Sequence, residues 1–101
     1  MRITRAIFLL LATALALTQA AWGAENGQRN YERQCARCHG ITGIPVMPKT
    51  PNLAMREGMN KPDLMLLQYL KMPTALHPSF FGILTDQEIL DVIRYIRVMR
   101  P

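Results

Sequence analysis

Both cysteines of this 101-residue chain fall in one short run, Cys35-Ala36-Arg37-Cys38-His39. With two cysteines, one disulfide is the most the chain can form. The run reads Cys-x-x-Cys-His, the attachment pattern of c-type haem. Two thiols three positions apart can add to the two vinyl groups of one haem, and the adjacent imidazole is then brought under the iron as proximal ligand. Three other readings of the same residues stay open. A Cys-x-x-Cys pair can be a thiol redox centre, which needs a strand and a βαβ context. His39 and His77 can complete a Cys2His2 zinc site. The pair can also be a plain disulfide.

Length decides how much such a staple matters. A dense apolar block from Ala6 to Leu17 holds one polar side chain, is preceded by Arg2 and Arg5, and is followed by Ala20, Ala21 and Gly23. A charged start, a short apolar run and small residues make a secretory signal, here residues 1–23, with cleavage expected after Ala20 or Gly23. Twelve residues rising about 1.5 Å each fall short of a bilayer core of roughly 30 Å. An uncleaved anchor extending to Trp22 is the alternative. Cleavage after Gly23 leaves 78 residues, 24–101, as one domain. That length excludes most enzyme architectures and makes a side-chain core marginal without a disulfide, metal or covalent cofactor. Losing Arg2 and Arg5 reduces the formal charge from +5 to +3. Mild basicity and export both argue against nucleic acid as a partner.

The mature segment reads as helices and loops, with no strand pattern, repeat or low-complexity stretch. Gly27, Tyr31 and Cys35 recur every four positions over residues 26–34, on one side of a helix that Asn26 can cap. Gly40, Gly43, Pro45, Pro48, Pro51 and Gly58 break any regular element over residues 40–58. A loop of that length in so small a domain is expected to wrap something. Asn60-Lys61-Pro62-Asp63 opens a second helix, with Asn60 as its cap, that is apolar nearly all round through Leu70. Pro73 stops it. A second loop, residues 74–84, carries His77-Pro78. Thr85-Asp86-Gln87-Glu88 is a capping box, and Ile89, Val92, Ile93, Ile96 and Met99 form the apolar face of the last helix. Asp91, Arg94 and Arg97 are expected on the opposite, solvated face. Glu57 and Asp63 read as solvated or cap-proximal residues.

From Gly27 to Ile96 the chain resembles a small monohaem class I c-type cytochrome of the exported bacterial kind. The resemblance rests on Gly27 and Tyr31 before Cys35, on Cys38-His39-Gly40, on Pro51-Asn52-Leu53, and on Leu84-Thr85-Asp86-Gln87-Glu88-Ile89 leading to Tyr95-Ile96. It implies an all-α fold of about three helices around one covalent haem c, held through Cys35 and Cys38 with His39 as proximal iron ligand. It implies that the first and last helices cross, with Gly27 close to Tyr95. It further implies that the Pro51 carbonyl accepts from His39 Nδ1 and that Leu53 packs on the macrocycle. Thr50, Met55 and Met72-Pro73 depart from the family pattern, which affects the loop geometry and leaves the haem motif untouched.

The family usually presents methionine as the second axial ligand. Met47, Met55, Met72 and His77 are the candidates. Met72-Pro73 copies the family's dipeptide, but the ligand usually stands about seven residues before the Leu that precedes the cap. Seven before Leu84 is His77, and His77-Pro78-Ser79-Phe80 reads like the family's motif with His written for Met. Pro78 also keeps His77 out of helical geometry. His77 is therefore the expected distal ligand, Met72 the alternative, and an open iron the third possibility. Two imidazoles imply a lower potential than His–Met ligation.

The expected function is that of a periplasmic electron carrier, not an enzyme. It would exchange single electrons with a dehydrogenase, a reductase or a membrane cytochrome complex, and have no membrane span once the signal is removed. Lys49, Lys61 and Lys71 are expected to form a docking patch. A ligand-binding sensor or weak peroxidase with an open iron is the rival, and a haem-free zinc module the remote one.

Overall fold

The computed structural model describes residues 2–100, apart from the side chains of Gln19 and Ala20, so the small side chain expected at an Ala20 cleavage site lies outside the described residues. Four α-helices follow in order: α1 (Arg2–Gln34), α2 (Ala36–His39), α3 (Asp63–Lys71) and α4 (Asp86–Val98), with a single 3-10 turn at Leu53–Met55. No strand occurs among the described residues. The fold is all-α.

α1 differs from expectation at its start. It runs unbroken for 33 residues, so Asn26 lies inside it and caps nothing. Nothing between the apolar block and Asn26 interrupts helical geometry except Gly23, and a single glycine costs only about 1 kcal/mol in a helix. Residues 2–18 are exposed, and the helix is long and apolar enough by length and composition to cross a membrane. Its last turns behave differently, with Gly27 and Tyr31 buried.

Those turns pack on α4, and this pairing is the most extensive between elements. Gly27 makes the approach possible. A Cβ there would run into the Asp91 carbonyl oxygen, lie 2.8 Å from the Asp91 carbonyl carbon, and lie 3.4 Å from Tyr95 Cβ. Tyr31 is fully buried below the crossing, its ring 5.4 Å from that of Tyr95. α4 contributes Ile89, Val92, Ile93 and Ile96, and Met99 follows, all buried. Thr85 Oγ1 accepts from Glu88 N at 3.1 Å, and Glu88 Oε1 accepts from Thr85 N at 2.9 Å, so the capping box is complete.

Asp91 corrects the expected polar face. It is only 8% exposed and points at α1, because the long first helix covers the side of α4 on which it stands. α3 also corrects its expectation. Pro62, at φ −60° and ψ 151°, is extended and occupies the N-cap position, so the helix starts at Asp63 and Asn60 does not cap it. Leu66 and Leu67 are buried, whereas Leu64 and Met65 are exposed, so α3 is two-faced. Arg97 fixes its entry by donating to Asp63 Oδ1 at 2.8 Å, the Lys61 carbonyl at 2.7 Å and the Met59 carbonyl at 3.1 Å.

Candidate functional site

The Cys-x-x-Cys-His run forms a helical turn at the end of α1. Cys38 N and His39 N both donate to the Cys35 carbonyl, at 3.2 and 3.0 Å. Positions i, i+3 and i+4 of a turn share a face, so Cys35, Cys38 and His39 project to one side. Gly40 ends the turn with φ +79°, where a Cβ would collide with the Ile44 carbonyl oxygen. The buried Tyr31 hydroxyl donates to the Gly40 carbonyl at 2.7 Å and so ties the motif to the helix crossing.

Burial pushes the Cys35 thiol up to about 12, with nearby Cys38 adding to the effect. A redox-active thiol needs the reverse, a depressed value that exposes thiolate at neutral pH. Among the described residues the two sulfurs form no disulfide. Burial also holds Tyr31 up at about 12, with Cys35 and Tyr95 adding to the rise.

His39 is held by its far nitrogen. Nδ1 donates to the Pro51 carbonyl at 3.0 Å. A carbonyl only accepts, so the proton sits on Nδ1 and Nε2 keeps its lone pair. Burial lowers the His39 pKa, and His77 lowers it further against the opposing effect of the Pro51 bond. The neutral imidazole is the form that binds metal. The segment that brings Pro51 here is anchored on both sides. Leu53 N donates to the Gly43 carbonyl at 2.9 Å and the Leu53 side chain is buried. Asn52 N donates to Glu57 Oε2 at 2.7 Å, and Asn52 Oδ1 accepts from Met55 N at 3.1 Å. Glu57 thus has a structural task that the sequence did not disclose.

His77 lies across from His39, with ring centroids 6.4 Å apart and planes 40° from each other. Its Nδ1 donates to the Pro78 carbonyl at 2.9 Å, again leaving Nε2 with a lone pair. The loop bearing it is tied to the end of α3. Phe80 N donates to the Leu70 carbonyl at 2.9 Å, and Ser79 Oγ donates to the Lys71 carbonyl at 2.6 Å. Tyr69 and the buried Phe80 flank the ring at 5.6 and 5.7 Å. Phe80 belongs to the His77-Pro78-Ser79-Phe80 run, whereas Tyr69 was not singled out from sequence, because its relation to His77 depends on how the loop folds back.

The methionines stand elsewhere. Met47, Met55 and Met72 are exposed, and Met72 serves as the C-cap of α3. The three lysines do not form one free patch, because Lys71 pairs with Asp86 Oδ1 at 3.0 Å and Lys61 Nζ lies 5.9 Å from the centre of the Tyr69 ring. Among the described residues no group of three or more His, Cys, Asp or Glu converges as a zinc site would require. A porphyrin demands less, since its own nitrogens fill four positions and the chain need supply only axial donors. Two metal–nitrogen bonds of about 2 Å, plus the distance from each nitrogen to its ring centre, total roughly 6 Å. The observed separation of the two imidazoles suits that arrangement.

A family model described as cytochrome c oxidase, cbb3-type, subunit III, matches residues 23–96. The chain belongs to this family of c-type cytochromes. It is also similar to cytochrome c6 of Thermosynechococcus vestitus, at 36% identity over 93 residues, covering 87% of this chain and 82% of that protein. Cytochrome c6 of Parathermosynechococcus lividus is 38% identical over 74 residues, 70% of this chain and 84% of the relative. Cytochrome c6 of Porphyra purpurea is 32% identical over 87 residues, 81% of this chain and 78% of the relative. The membership makes this an electron-transfer haem protein rather than an enzyme, and the Cys35–His39 motif is the one that haem c uses.

Proposed function

We propose that this cytochrome is an exported carrier with one haem c bonded to Cys35 and Cys38, and with His39 and His77 as its axial ligands. The carrying observation is the pair of imidazoles 6.4 Å apart, each with Nδ1 committed to a backbone carbonyl and Nε2 left with its lone pair. The haem, when bound, supplies a one-electron ferric–ferrous couple. The chain supplies the rest. The Pro51 carbonyl orients the His39 ring and raises its basicity. Pro51 and Leu53 border the proximal side, and Tyr69 and Phe80 hold the His77 ring. Two fixed axial donors leave no vacant coordination position, which suits electron transfer and disfavours gas binding or peroxide chemistry. An imidazole in place of a thioether lowers the potential relative to His–Met relatives. Residues 1–23 direct the chain to the periplasm, where a dehydrogenase, reductase or membrane cytochrome complex exchanges electrons with it.

The test begins with the protein secreted alongside haem-maturation machinery. A band that stays red after denaturing electrophoresis is expected, with a mass increased by one haem. The oxidised protein should lack the weak long-wavelength absorption of an iron–methionine bond, and the reduced protein should not take up carbon monoxide rapidly at neutral pH. A colourless band overturns the covalent haem. Rapid carbon monoxide uptake overturns the two-imidazole centre in favour of an open, ligand-binding iron.

A further inference from the structure

Asp91 is an unusual residue to find in a helix crossing. Asp91 stands on α4, only 8% exposed as a residue, and its carboxylate faces the backbone of α1 at Gly23. A Cβ on Gly23 would sit 3.4 Å from Asp91 Oδ1 and 3.8 Å from Oδ2. Among the described residues its side chain takes one hydrogen bond, from the neutral amide of Gln87 to Oδ1 at 3.0 Å. Burying a carboxylate is costly without a cationic or well-bonded partner. The shallow cleft around it is lined by Trp22, Gly23 and Asn26 of α1 and by Gln87 and Arg94 of α4. Of these, Arg94 alone is charged, and it is exposed. The next cation along α1, Arg29, is engaged with Glu25 at 3.4 Å. α1 therefore presents no cation to Asp91 in the unprocessed chain.

Export changes this. Ala21-Trp22-Gly23 has small residues at the first and third positions before a cut, the pattern that signal processing reads. A cut after Gly23 creates an ammonium group on Ala24, whose nitrogen is bonded to the Gly23 carbonyl carbon in the unprocessed chain. We propose that signal removal after Gly23 places the new α-ammonium of Ala24 against the Asp91 carboxylate, so that processing itself completes the helix crossing with an ion pair. The hydrolysis adds one water across the Gly23–Ala24 peptide bond, leaving the carboxylate on the released segment and the amine, protonated at neutral pH, on the mature chain. A positive charge at the start of a helix is normally unfavourable against the helix dipole. Asp91, buried and one chain-crossing away, offsets that. A cut after Ala20 would set the amine about one turn too early for this contact.

The inference rests on the exported-carrier reading, and one preparation separates the two. Secreted, haem-loaded wild type is weighed intact, then its α-amino group is titrated through the pH dependence of its acylation. Expected are a chain beginning at Ala24 and an α-amino pKa above its ordinary range of about 7.7–8.0, which returns to that range in Asp91→Asn. A raised value means that the stabilisation is complete below the ordinary value and is lost as pH rises through the folded one. Wild type should therefore lose melting temperature across that alkaline window, and Asp91→Asn should not. If Asp91→Asn does not yield folded protein, the wild-type titration decides alone. An ordinary α-amino value on a red protein beginning at Ala24 overturns the ion pair and leaves the carrier reading intact. A red protein that begins elsewhere, or keeps residues 1–23, overturns it equally. A colourless product instead defeats the carrier reading.

Discussion

At the scale of single residues, the backbone does much of the work on the two histidines. Each ring spends its Nδ1 proton on a carbonyl that follows it in sequence, Pro51 for His39 and Pro78 for His77, so each is fixed in one tautomer. In both cases proline supplies the carbonyl, and its locked φ limits how far that acceptor can swing. His77→Met should therefore create the long-wavelength methionine band and raise the potential, while His77→Ala should open the iron to added imidazole. Met72→Ala should change neither signal, because Met72 is exposed at the C-cap of α3. Redox potentiometry with absorption spectra checks all three. A methionine band in wild type that vanishes in Met72→Ala would reverse the assignment. His39 was expected from the Cys-x-x-Cys-His run, and His77 from the family resemblance, which implies a ligand about seven residues before Leu84; the structure sets their rings 6.4 Å apart. The tasks of Tyr69 and Glu57 were not legible. Their contacts span the 72–84 loop and the Asn52 turn, and no short-range pattern encodes which side chains a loop brings together.

At the scale of elements, local signals succeeded where the chain's own hydrogen bonds dominate. The capping box of α4 is such a case, since Thr85 and Glu88 satisfy each other's backbone N–H groups regardless of what surrounds them. Thr85→Ala should cost about 0.5–2 kcal/mol in a thermal or denaturant melt. The two bonds from Thr85 hold the Glu88 carboxyl below its ordinary value, with Asn30 adding a smaller effect. A depressed folded pKa stabilises above the ordinary carboxylate value and ceases to do so as pH falls through the folded one. Glu88→Gln should accordingly be less stable than wild type near neutrality and converge on it in acid. A stability difference that stays constant from pH 7 to about pH 3 would remove this cap from the acid response. Asn26, Asn60 and Asp91 show the limit of local reading. Each is a polar residue at a position that suits a cap or a solvated face. The continuous α1 absorbs the first, Pro62 delays the helix past the second, and the covering helix buries the third. All three outcomes depend on neighbours that a window of a few residues does not contain.

At the scale of the whole molecule, one crossing joins the two ends of the domain. Gly27→Leu tests it. The substitution improves helix propensity by up to about 1 kcal/mol, yet its Cβ would meet the Asp91 backbone. Overpacking costs of about 1–3 kcal/mol, and more against rigid backbone, outweigh that gain. A lowered melting temperature is expected, and a melt equal to wild type would remove the close approach. The fold class and the helix order were legible because glycine, tyrosine and the α4 stripe recur at helical spacing, while the crossing was expected only from the family resemblance. The unbroken length of α1 was not legible, since the apolar block and the domain's first helix are separate signals in sequence that share one helical path. The same crossing governs when the chain can fold at all. α1 is synthesised first and α4 last, and neither has another partner of comparable extent. Bringing such distant segments together carries a loop-closure cost that no earlier contact offsets. While the ribosome still holds the C-terminal end, the buried face of α1 at Gly27 and Tyr31 has no α4 to close against. The crossing thus closes only once the final thirteen-residue helix is complete. The order of the helices acts as a timer that makes closure of this crossing the last event of the chain's synthesis.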